Sequence, residues 1–229
     1  MLAVLYDVHG NLPALETVLD DARSRGARRF VLGGDYALFG AWPVEVVDRL
    51  DGLGADWIRG NGERWTAAPD KAPDDPVIQG AAAACREALG EASVARLAGL
   101  PETFAQGDTR YWHGSPVSDV RSFMPTPDDD ESELLEGVEE SRLIFGHTHL
   151  PFRRIAMRGD RPIELVNPGS VGMPFDGDPR AAYALIAPDA TVEHRRLPYD
   201  HAASAAAVRE RFEGEWTATI ARRIEGAGA

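Results

Sequence analysis

The residues of this chain best suited to binding metal ions form five short clusters of carboxylate, imidazole and amide side chains. Each cluster follows an apolar run, in the order Asp7-Val8-His9, Gly34-Asp35, Gly60-Asn61, His113 and Gly146-His147-Thr148-His149. Residues two apart on an extended backbone point to the same side, so each Asp-x-His or His-x-His pair can offer two ligands together. Four of the six histidines fall in these clusters, whereas His194 and His201 lie outside them and are interpreted as surface residues.

The hydrophobic pattern supplies elements that can bring these clusters together. Short apolar runs predict β-strands over Leu2–Tyr6, Arg29–Leu32, Asp56–Arg59, Thr109–Trp112, Leu143–Phe145, Ile163–Val166, Ala182–Ile186 and Thr191–Arg195. One helix is expected after a cap near Asn11, and another from about Pro43 with Val44, Val47 and Leu50 facing inward. This alternation predicts a largely parallel sheet. The carboxyl ends of parallel strands share one edge, so all five clusters are predicted to converge there.

One cluster alone would be weak evidence for a metal centre. A histidine after a strand is more often a hydrogen-bonded structural residue, and an aspartate in a turn usually caps that turn. Five clusters, each placed where a strand should end, are not explained by five turn caps. The pattern therefore favours a metal centre built from several loops.

Composition argues against several classes of protein. The net charge of −13 disfavours a nucleic-acid polymer or an anionic membrane as partner. No apolar run approaches the roughly 20 residues that a membrane span needs. The opening apolar run is too short for a signal peptide, so a cytoplasmic location is expected. The single cysteine, Cys85, cannot form an intrachain disulfide and is predicted to be a small buried hydrophobe.

We predict a single domain over residues 1–229, with a mainly helical insertion over about 64–107. A C-terminal helix is expected over about 201–224, because Val208, Phe212, Trp216 and Ile220 recur at intervals of four. Such a stripe favours packing against the body of the protein. An oligomer, where one forms, would use this helix.

The ordered clusters, together with their neighbouring glycines and the segment Asn167-Pro168-Gly169-Ser170-Val171-Gly172, resemble the calcineurin-like metallophosphoesterase family. They are similar to its small bacterial phosphodiesterase branch, and the resemblance runs from residue 7 to about residue 172. It implies an α/β fold, namely a four-layer α/β/β/α sandwich. It also implies a first metal held by Asp7, His9, Asp35 and His149, and a second held by Asp35, Asn61, His113 and His147.

The implied cofactors are two divalent transition metal ions bridged by Asp35, roughly 3.5–4 Å apart, a spacing suited to phosphoryl displacement. Oxygen and imidazole ligands suit manganese, iron, zinc, nickel or cobalt, and the sequence does not choose among them. The resemblance implies a phosphodiesterase that attacks a small phosphorylated substrate with a metal-bound hydroxide. His9, Asp35 and Asn61 are the residues expected to act in catalysis.

One position departs from the family pattern, because Gly62 stands where many relatives have a histidine that aids the leaving group. General acid help is typically worth about 10²–10⁴-fold. Our hypothesis is that the protein prefers activated diesters or anhydrides, or supplies a donor from elsewhere. Candidates for that donor are His9, Glu63, Arg64 and a group near Asn167.

Three residues are candidates for substrate contact: Tyr36, Phe39 and Arg64. Two alternatives to a phosphodiesterase stay open. The first is a phosphomonoesterase, including a protein phosphatase, although the segment after Asp35 lacks the arginine-bearing pattern of protein phosphatases. The second is a non-catalytic scaffold or binding protein with the same fold, as in the retromer scaffold subunit.

Overall fold

Two five-stranded sheets face each other in the computed structural model, which describes residues 1–229. The first sheet has the spatial order β10-β9-β1-β2-β3, formed by β1 (Leu2–Leu5), β2 (Arg29–Leu32), β3 (Asp56–Trp57), β9 (Ala181–Ile186) and β10 (Val192–Leu197). The second has the order β4-β5-β6-β8-β7, formed by β4 (Thr103–Gln106), β5 (Thr109–Trp112), β6 (Arg142–Ile144), β7 (Phe152–Arg158) and β8 (Arg161–Asn167).

Seven α-helices connect or cover these strands. They are α1 (Leu12–Ser24), α2 (Pro43–Asp51), α3 (Asn61–Ala67), α4 (Pro76–Ala98), α5 (Glu131–Leu134), α6 (His201–Arg211) and α7 (Trp216–Gly226). The first begins where the sequence predicts, since the Asn11 side chain accepts a hydrogen bond from the N–H of Ala14. None of the helices combines the length and the hydrophobicity that crossing a bilayer requires.

Three hydrophobic clusters show how the layers are arranged. The largest joins α1, α2, α4, α6 and α7 to one face of the first sheet. A second lies between the sheets, where Val4 and Val31 of the first sheet meet Ile144 and Val166 of the second. A third covers the far side of the second sheet with the segment around α5. The result is helix, sheet, sheet and helix, which confirms the predicted four-layer α/β fold.

The prediction of a largely parallel sheet is only half right. Strands β1–β2–β3 and β5–β6–β8 pair in parallel, whereas β9, β10, β4 and β7 join by antiparallel pairing. The prediction also missed β4, which lies inside the expected helical insertion, and β7. The arginine-rich sequence of β7 is half exposed on the edge of its sheet, so it lacks a continuous apolar run.

Two helical predictions were wrong in detail. Val44 does not face inward, being 38% exposed, because the buried face of α2 passes through Val46, Val47 and Leu50 instead. The expected single C-terminal helix is two helices, α6 and α7, separated by a break in which Gly214 has a φ of 114°.

The apolar stripe of the C-terminal helices packs against the body of the protein. Val208, Trp216 and Ile220 are buried, and the Trp216 ring fits against Gly80 of α4. This face is therefore covered within the chain, and an oligomer through the C-terminal helices stays a prediction.

Candidate metal centre

All seven predicted ligands meet at one edge where the two sheets face each other. Asp7 and His9 follow β1, Asp35 follows β2, Asn61 opens α3 after β3, and the three others follow strands of the second sheet. Six are buried, and His147 is half-buried. The sequence thus identified residues that the fold gathers, although their parts in metal binding stay predictions.

One group in this cluster consists of Asp7, His9 and His149. The Nε2 atoms of the two imidazoles lie 3.1 Å apart. Asp7 Oδ1 is 3.5 Å from His149 Nε2 and 4.0 Å from His9 Nε2. The three ligand atoms lie within the 4.8 Å of one another that a shared cation requires.

A second group surrounds Asp35 and His113. His113 Nε2 is 3.5 Å from Asp35 Oδ1 and 3.9 Å from Asp7 Oδ1. The side-chain amide of Asn61 lies 2.9 Å from His113 Nε2 and 2.8 Å from His147 Nδ1. The two groups adjoin, because Asp35 Oδ2 reaches to 3.9 Å from His9 Nε2.

Main-chain carbonyls fix the tautomers of three imidazoles. The Nδ1 atoms of His9, His113 and His149 contact the carbonyl oxygens of Leu38 at 3.0 Å, Gly33 at 2.8 Å and Met173, respectively. A carbonyl can only accept, so each Nδ1 must carry the hydrogen. The neutral rings therefore point bare Nε2 lone pairs into the centre, the arrangement typical of metal-binding histidines.

The centre also contains a carboxylate oxygen without a partner. Asp7 Oδ1 is buried and accepts no hydrogen bond, whereas Oδ2 accepts one from the N–H of His147 at 3.1 Å. A buried charge without a partner is costly. The lone pairs of His9 and His149 beside it cannot satisfy it and repel one another. Cations in the centre would satisfy all three atoms, so the residues present fit divalent metal ions.

Burial and neighbouring charges shift the pKa values of several of these groups. Burial and the nearby His149 lower the pKa of His9 to about 3, and burial and His113 lower that of His147 to about 3. Burial raises the pKa of Asp35 to about 7, against the opposing effect of His113. His113 differs, because nearby Asp35 and Asp7 outweigh the effect of its burial and raise its pKa. His9 and His147 are thus held neutral while the Asp35 carboxyl is deprived of solvent, and a bound cation would favour neutral imidazoles and an ionised carboxylate.

The backbone of the ligand loops is strained. Asp7, His9, Asp35, His147 and His149 all have φ between 47° and 67°, in the left-handed region. Such conformations cost of order 1–3 kcal/mol each and persist only where the surroundings enforce them. Aspartate and histidine enter this region more readily than bulky or branched residues. The loops therefore hold five of the seven ligands in conformations that suit those residue types.

Glu63 holds two of these loops together. Its carboxylate accepts hydrogen bonds from the N–H groups of Asp35 at 2.9 Å, Tyr36 at 2.8 Å and Gly60 at 2.8 Å. These contacts leave it no hydrogen to donate to a substrate. Glu63 therefore positions the loops after β2 and β3, and the hypothesis that it is the leaving-group donor was wrong.

The loop at residues 169–173 is tied to the centre by side chains that the sequence did not single out for this purpose. The Ser170 hydroxyl donates to the carbonyl of Asp7 at 2.7 Å and accepts from the N–H of Met173 at 2.8 Å. Asn11, expected only as a helix cap, also donates to the carbonyl of Gly172 at 2.8 Å. Serine after glycine in a tight turn has no local pattern that would reveal this contact.

Asn167 is also occupied by its own neighbours. Its amide donates to Gly146 and Thr148, and its side-chain oxygen accepts from the N–H of Gly169 at 2.8 Å. It braces the loop that follows β8 against the loop that carries the two histidines. These contacts do not support a donor for the leaving group at this position.

A residue larger than glycine at position 62 would press against the Asp35 carboxylate in its present position. The N–H of Gly62 donates to Asp35 Oδ1 at 2.6 Å, and a Cβ at this position would lie 2.9 Å from the same oxygen. Real Cβ atoms do not approach that closely, so a histidine here would displace the carboxylate. Glycine rather than histidine at position 62 is therefore consistent with the observed position of the Asp35 carboxylate.

The three candidate substrate contacts have different surroundings. Tyr36 is wholly buried and its hydroxyl contacts the carbonyls of Leu32 and Ile58, so the prediction that it contacts substrate was wrong. Phe39 is 8% exposed and lies beside the His9 ring, and its role stays a prediction. Arg64 lines an open cavity next to the cluster.

Two cavities adjoin the cluster, one lined in part by His113 and the other by His147. The polar cavity, of about 300 Å³, is lined by residues that include Arg59, Arg64, Glu102, His113, Ser118 and Asp119. The apolar cavity, of about 510 Å³, is lined by residues that include Val120, Met124, Leu134, His147, Leu150 and Phe175. Ser118 and Asp119 line the first cavity, and the next residue, Val120, lines the second.

Asp119 is a residue of the polar cavity that the sequence analysis missed. Its carboxylate accepts two hydrogen bonds from Arg64, at 2.7 and 2.6 Å. Arg59 is paired in the same cavity with Glu102. Asp119 lies 55 residues from Arg64 in a loop with no helical or strand pattern, and nothing local in the sequence distinguishes it from other acidic loop residues.

Comparison with known proteins relates this geometry to a family. The sequence profile of the calcineurin-like phosphoesterase superfamily domain matches residues 1–191. An uncharacterized protein from Methanocaldococcus jannaschii is 29% identical over 220 residues, covering 87% of this chain and 88% of that protein.

Two solved structures extend the comparison to the whole fold. A metallophosphoesterase from Sphaerobacter thermophilus is 27% identical, with a TM-score of 0.81, and covers 99% of each chain. A hypothetical protein from Pyrococcus horikoshii OT3 is 20% identical, with a TM-score of 0.83, covering 100% of this chain and 99% of its own. The second likeness bears on the fold alone.

Proposed function

Because the chain belongs to the calcineurin-like phosphoesterase superfamily, we propose that it is a phosphodiesterase that requires two divalent transition metal ions. The proposal rests on buried ligand atoms of the centre that carry no hydrogen and that no donor of the chain satisfies. Two imidazole Nε2 atoms fixed by Leu38 and Met173 lie 3.1 Å apart beside the unpartnered Asp7 Oδ1. A bound cation would satisfy buried polar atoms in such an arrangement.

Asp35 is the residue best placed to be shared between two ions. It directs Oδ2 towards His9 and Oδ1 towards His113, so each group has its own oxygen. Asp7 also lies near both groups, but one of its oxygens is occupied by the N–H of His147. The proposed allotment is therefore Asp7, His9, Asp35 and His149 for one ion, and Asp35, Asn61, His113 and His147 for the other.

Bound in this way, the cations would polarise a phosphoryl oxygen and activate water for attack on phosphorus. The chain itself supplies orientation and further donors. Arg64 uses Nε and Nη2 for Asp119, which leaves the N–H groups of Nη1 available to the polar cavity. Arginine does not act as an acid at ordinary pH, but it stabilises negative charge on a departing oxygen. Among the candidate donors, Arg64 is the one we retain.

Two features favour a diester over a monoester. Two cavities adjoin the cluster, one lined by His113 and the other by His147, which suits a phosphate with two ester arms. Arg59 and Arg64 are each paired with a carboxylate, so the polar cavity has little excess positive charge for a dianionic monoester.

The net charge of −13 favours a small phosphorylated substrate over a nucleic-acid polymer. The cytoplasmic location stays a prediction from the sequence.

A comparison of native protein with Asp35→Asn tests this function. Each protein is loaded with manganese, iron, zinc, nickel or cobalt and assayed on a panel of activated mono- and diesters. We expect diester hydrolysis by the native protein and a loss of at least about 100-fold in Asp35→Asn, more than the 10–100-fold typical of residues that only support ligands.

Asp160→Asn is the matched control, since Asp160 lies in the turn between β7 and β8 away from the cluster. Its rate should equal that of the native protein. Metal binding without turnover on any ester would favour the non-catalytic scaffold, and a preference for monoesters would favour the phosphomonoesterase.

A further inference from the structure

The apolar cavity has no part in the proposed metal binding, yet it adjoins the cluster directly. His147 lines the cavity, and its Nδ1 lies 2.8 Å from Asn61 in the centre. A phosphate on the cluster would therefore have one of its ester arms at the mouth of this cavity. The volume of about 510 Å³ lies within the 300–1,000 Å³ usual for small-molecule sites.

We propose that the apolar cavity binds the retained arm of the diester, the arm that stays on phosphorus, and selects a neutral planar apolar group. The leaving arm then lies in the polar cavity. This inference rests on the proposed phosphodiesterase function. In the hydrolysis, water adds to phosphorus, the P–O bond to the leaving arm breaks, and the departing oxygen takes up a proton that the water loses.

The lining of the apolar cavity argues for a neutral arm. Leu134, Met124, Leu150 and Phe175 supply apolar surface, and the Phe175 ring is held against the His149 ring with centroids 4.2 Å apart. A ring fixed in this way offers a flat face for stacking.

The charges of the apolar cavity argue against an anionic arm. Arg121 is the cation that lines it, and Arg121 pairs with Asp130 at 2.6 Å and with Glu133 at 3.0 Å. Asp128 adds a further carboxylate to the lining. A second phosphate would therefore meet more negative than positive charge, whereas an uncharged ring would gain from burial.

The polar cavity is better suited to the leaving arm. Negative charge develops on the leaving oxygen as its bond to phosphorus breaks, and preorganised donors stabilise that charge. Arg64 lines this cavity and its Nη1 donors are not used by Asp119, and His113 links the cavity to the cluster. Gly62 has no side chain that could serve instead.

Two exposed valines in one loop provide a matched test. Val120 lines the apolar cavity and is 42% exposed, whereas Val117 lines the polar cavity and is 49% exposed. Tryptophan at either position would fill one cavity with little effect on the core. The substrates are methyl 4-nitrophenyl phosphate and phenyl 4-nitrophenyl phosphate, which share a leaving group and differ in the retained arm.

We expect native protein to favour the phenyl over the methyl retained arm by at least tenfold in kcat/KM, mainly through KM. Val120→Trp should reduce that preference to near one, and Val117→Trp should keep it. Calorimetric binding of diphenyl and dimethyl phosphate to metal-loaded protein gives a second readout, in which Val120→Trp should weaken binding of diphenyl phosphate selectively.

The outcomes separate the two proposals. Turnover of both esters with equal kcat/KM, or an unchanged preference in Val120→Trp, would overturn the cavity assignment and leave the phosphodiesterase intact. No turnover, together with selective binding of diphenyl phosphate that Val120→Trp abolishes, would support the cavity and refute the enzyme. A preference lost in Val117→Trp alone would place the retained arm in the polar cavity and contradict the inference.

Discussion

At the scale of single residues, the cluster depends as much on main-chain groups as on the ligands themselves. The sequence identified the ligand types because aspartate, asparagine and histidine stand at successive strand ends. It could not identify the carbonyls of Gly33, Leu38 and Met173 that fix the imidazole tautomers, because every residue carries a carbonyl. Ligand identity was therefore predictable, and ligand orientation was not.

Gly62→Ala tests whether the close approach of this residue to Asp35 matters for metal binding. The added Cβ would lie 2.9 Å from Asp35 Oδ1, so the carboxylate must move. We expect metal affinity to fall by about 10–100-fold, as when other groups that orient ligands are changed. Titration with manganese measures this. Gly52→Ala is the control, because its Cβ would have an ordinary contact of 3.6 Å, and equal affinities in the two variants would contradict the account.

Cys85 provides a pH-dependent prediction away from the cluster. Burial raises the pKa of its thiol to about 12 from an ordinary value of 9.0, although a hydrogen bond with Thr66 opposes the shift. The thiolate is therefore scarce in the folded protein, and between pH 9 and 12 ionisation favours the unfolded chain. The folded protein should not react with a disulfide reagent at pH 8.5, whereas the urea-unfolded protein should react fully. Rapid labelling of the folded state would contradict the burial of Cys85.

At the scale of elements, predictability followed the strength of the local pattern. The β1 and β2 strands and the start of α1 are at or near the predicted positions, because a buried run or a cap marks each one. Strand β7 was missed because it lies at an edge and is rich in arginine. The break between α6 and α7 was missed because the spacing of apolar residues continues across it.

Because α7 packs against α4 and α6, we expect a truncated side chain in this contact to lower the free energy of unfolding. Ile220 is fully buried in the largest hydrophobic cluster. Ile220→Ala should reduce the free energy of unfolding by about 2–5 kcal/mol, through lost burial and the cavity left behind. Ile155→Ala is the matched control, because Ile155 is 58% exposed on β7, and it should change stability by less than about 0.5 kcal/mol.

Urea denaturation of both variants measures these effects. A loss for Ile220→Ala no larger than that for Ile155→Ala would show that the C-terminal helices contribute little to the core. Loss of an oligomer in Ile220→Ala without loss of stability would instead support the predicted oligomer contact.

At the scale of the whole molecule, the two sheets create the cluster by bringing their strand ends together. The first sheet supplies Asp7, His9, Asp35 and Asn61, and the second supplies His113 and the His147/His149 pair. The sequence predicted this convergence through one largely parallel sheet, whereas the structure achieves it between two mixed sheets. The antiparallel strands carry none of the seven ligands. The error in the predicted topology therefore did not affect the predicted convergence of the ligands.

The cavities belong to the same scale and were not predictable. Their walls come from loops such as residues 114–124, whose paths depend on pairs like Arg64 with Asp119. Such contacts join segments that are distant in the sequence and carry no periodic signal. The sequence could therefore suggest the chemistry of the centre but not the shape of the substrate.

The most direct measurement of the central claim is the number of divalent cations bound per chain, counted by native mass spectrometry after chelation and reloading with manganese. We predict two per chain in the native protein and fewer than two in Asp35→Asn, because that variant loses the carboxylate that faces both groups. Native protein that retains no cation, or Asp35→Asn that retains two with undiminished affinity, would contradict the account.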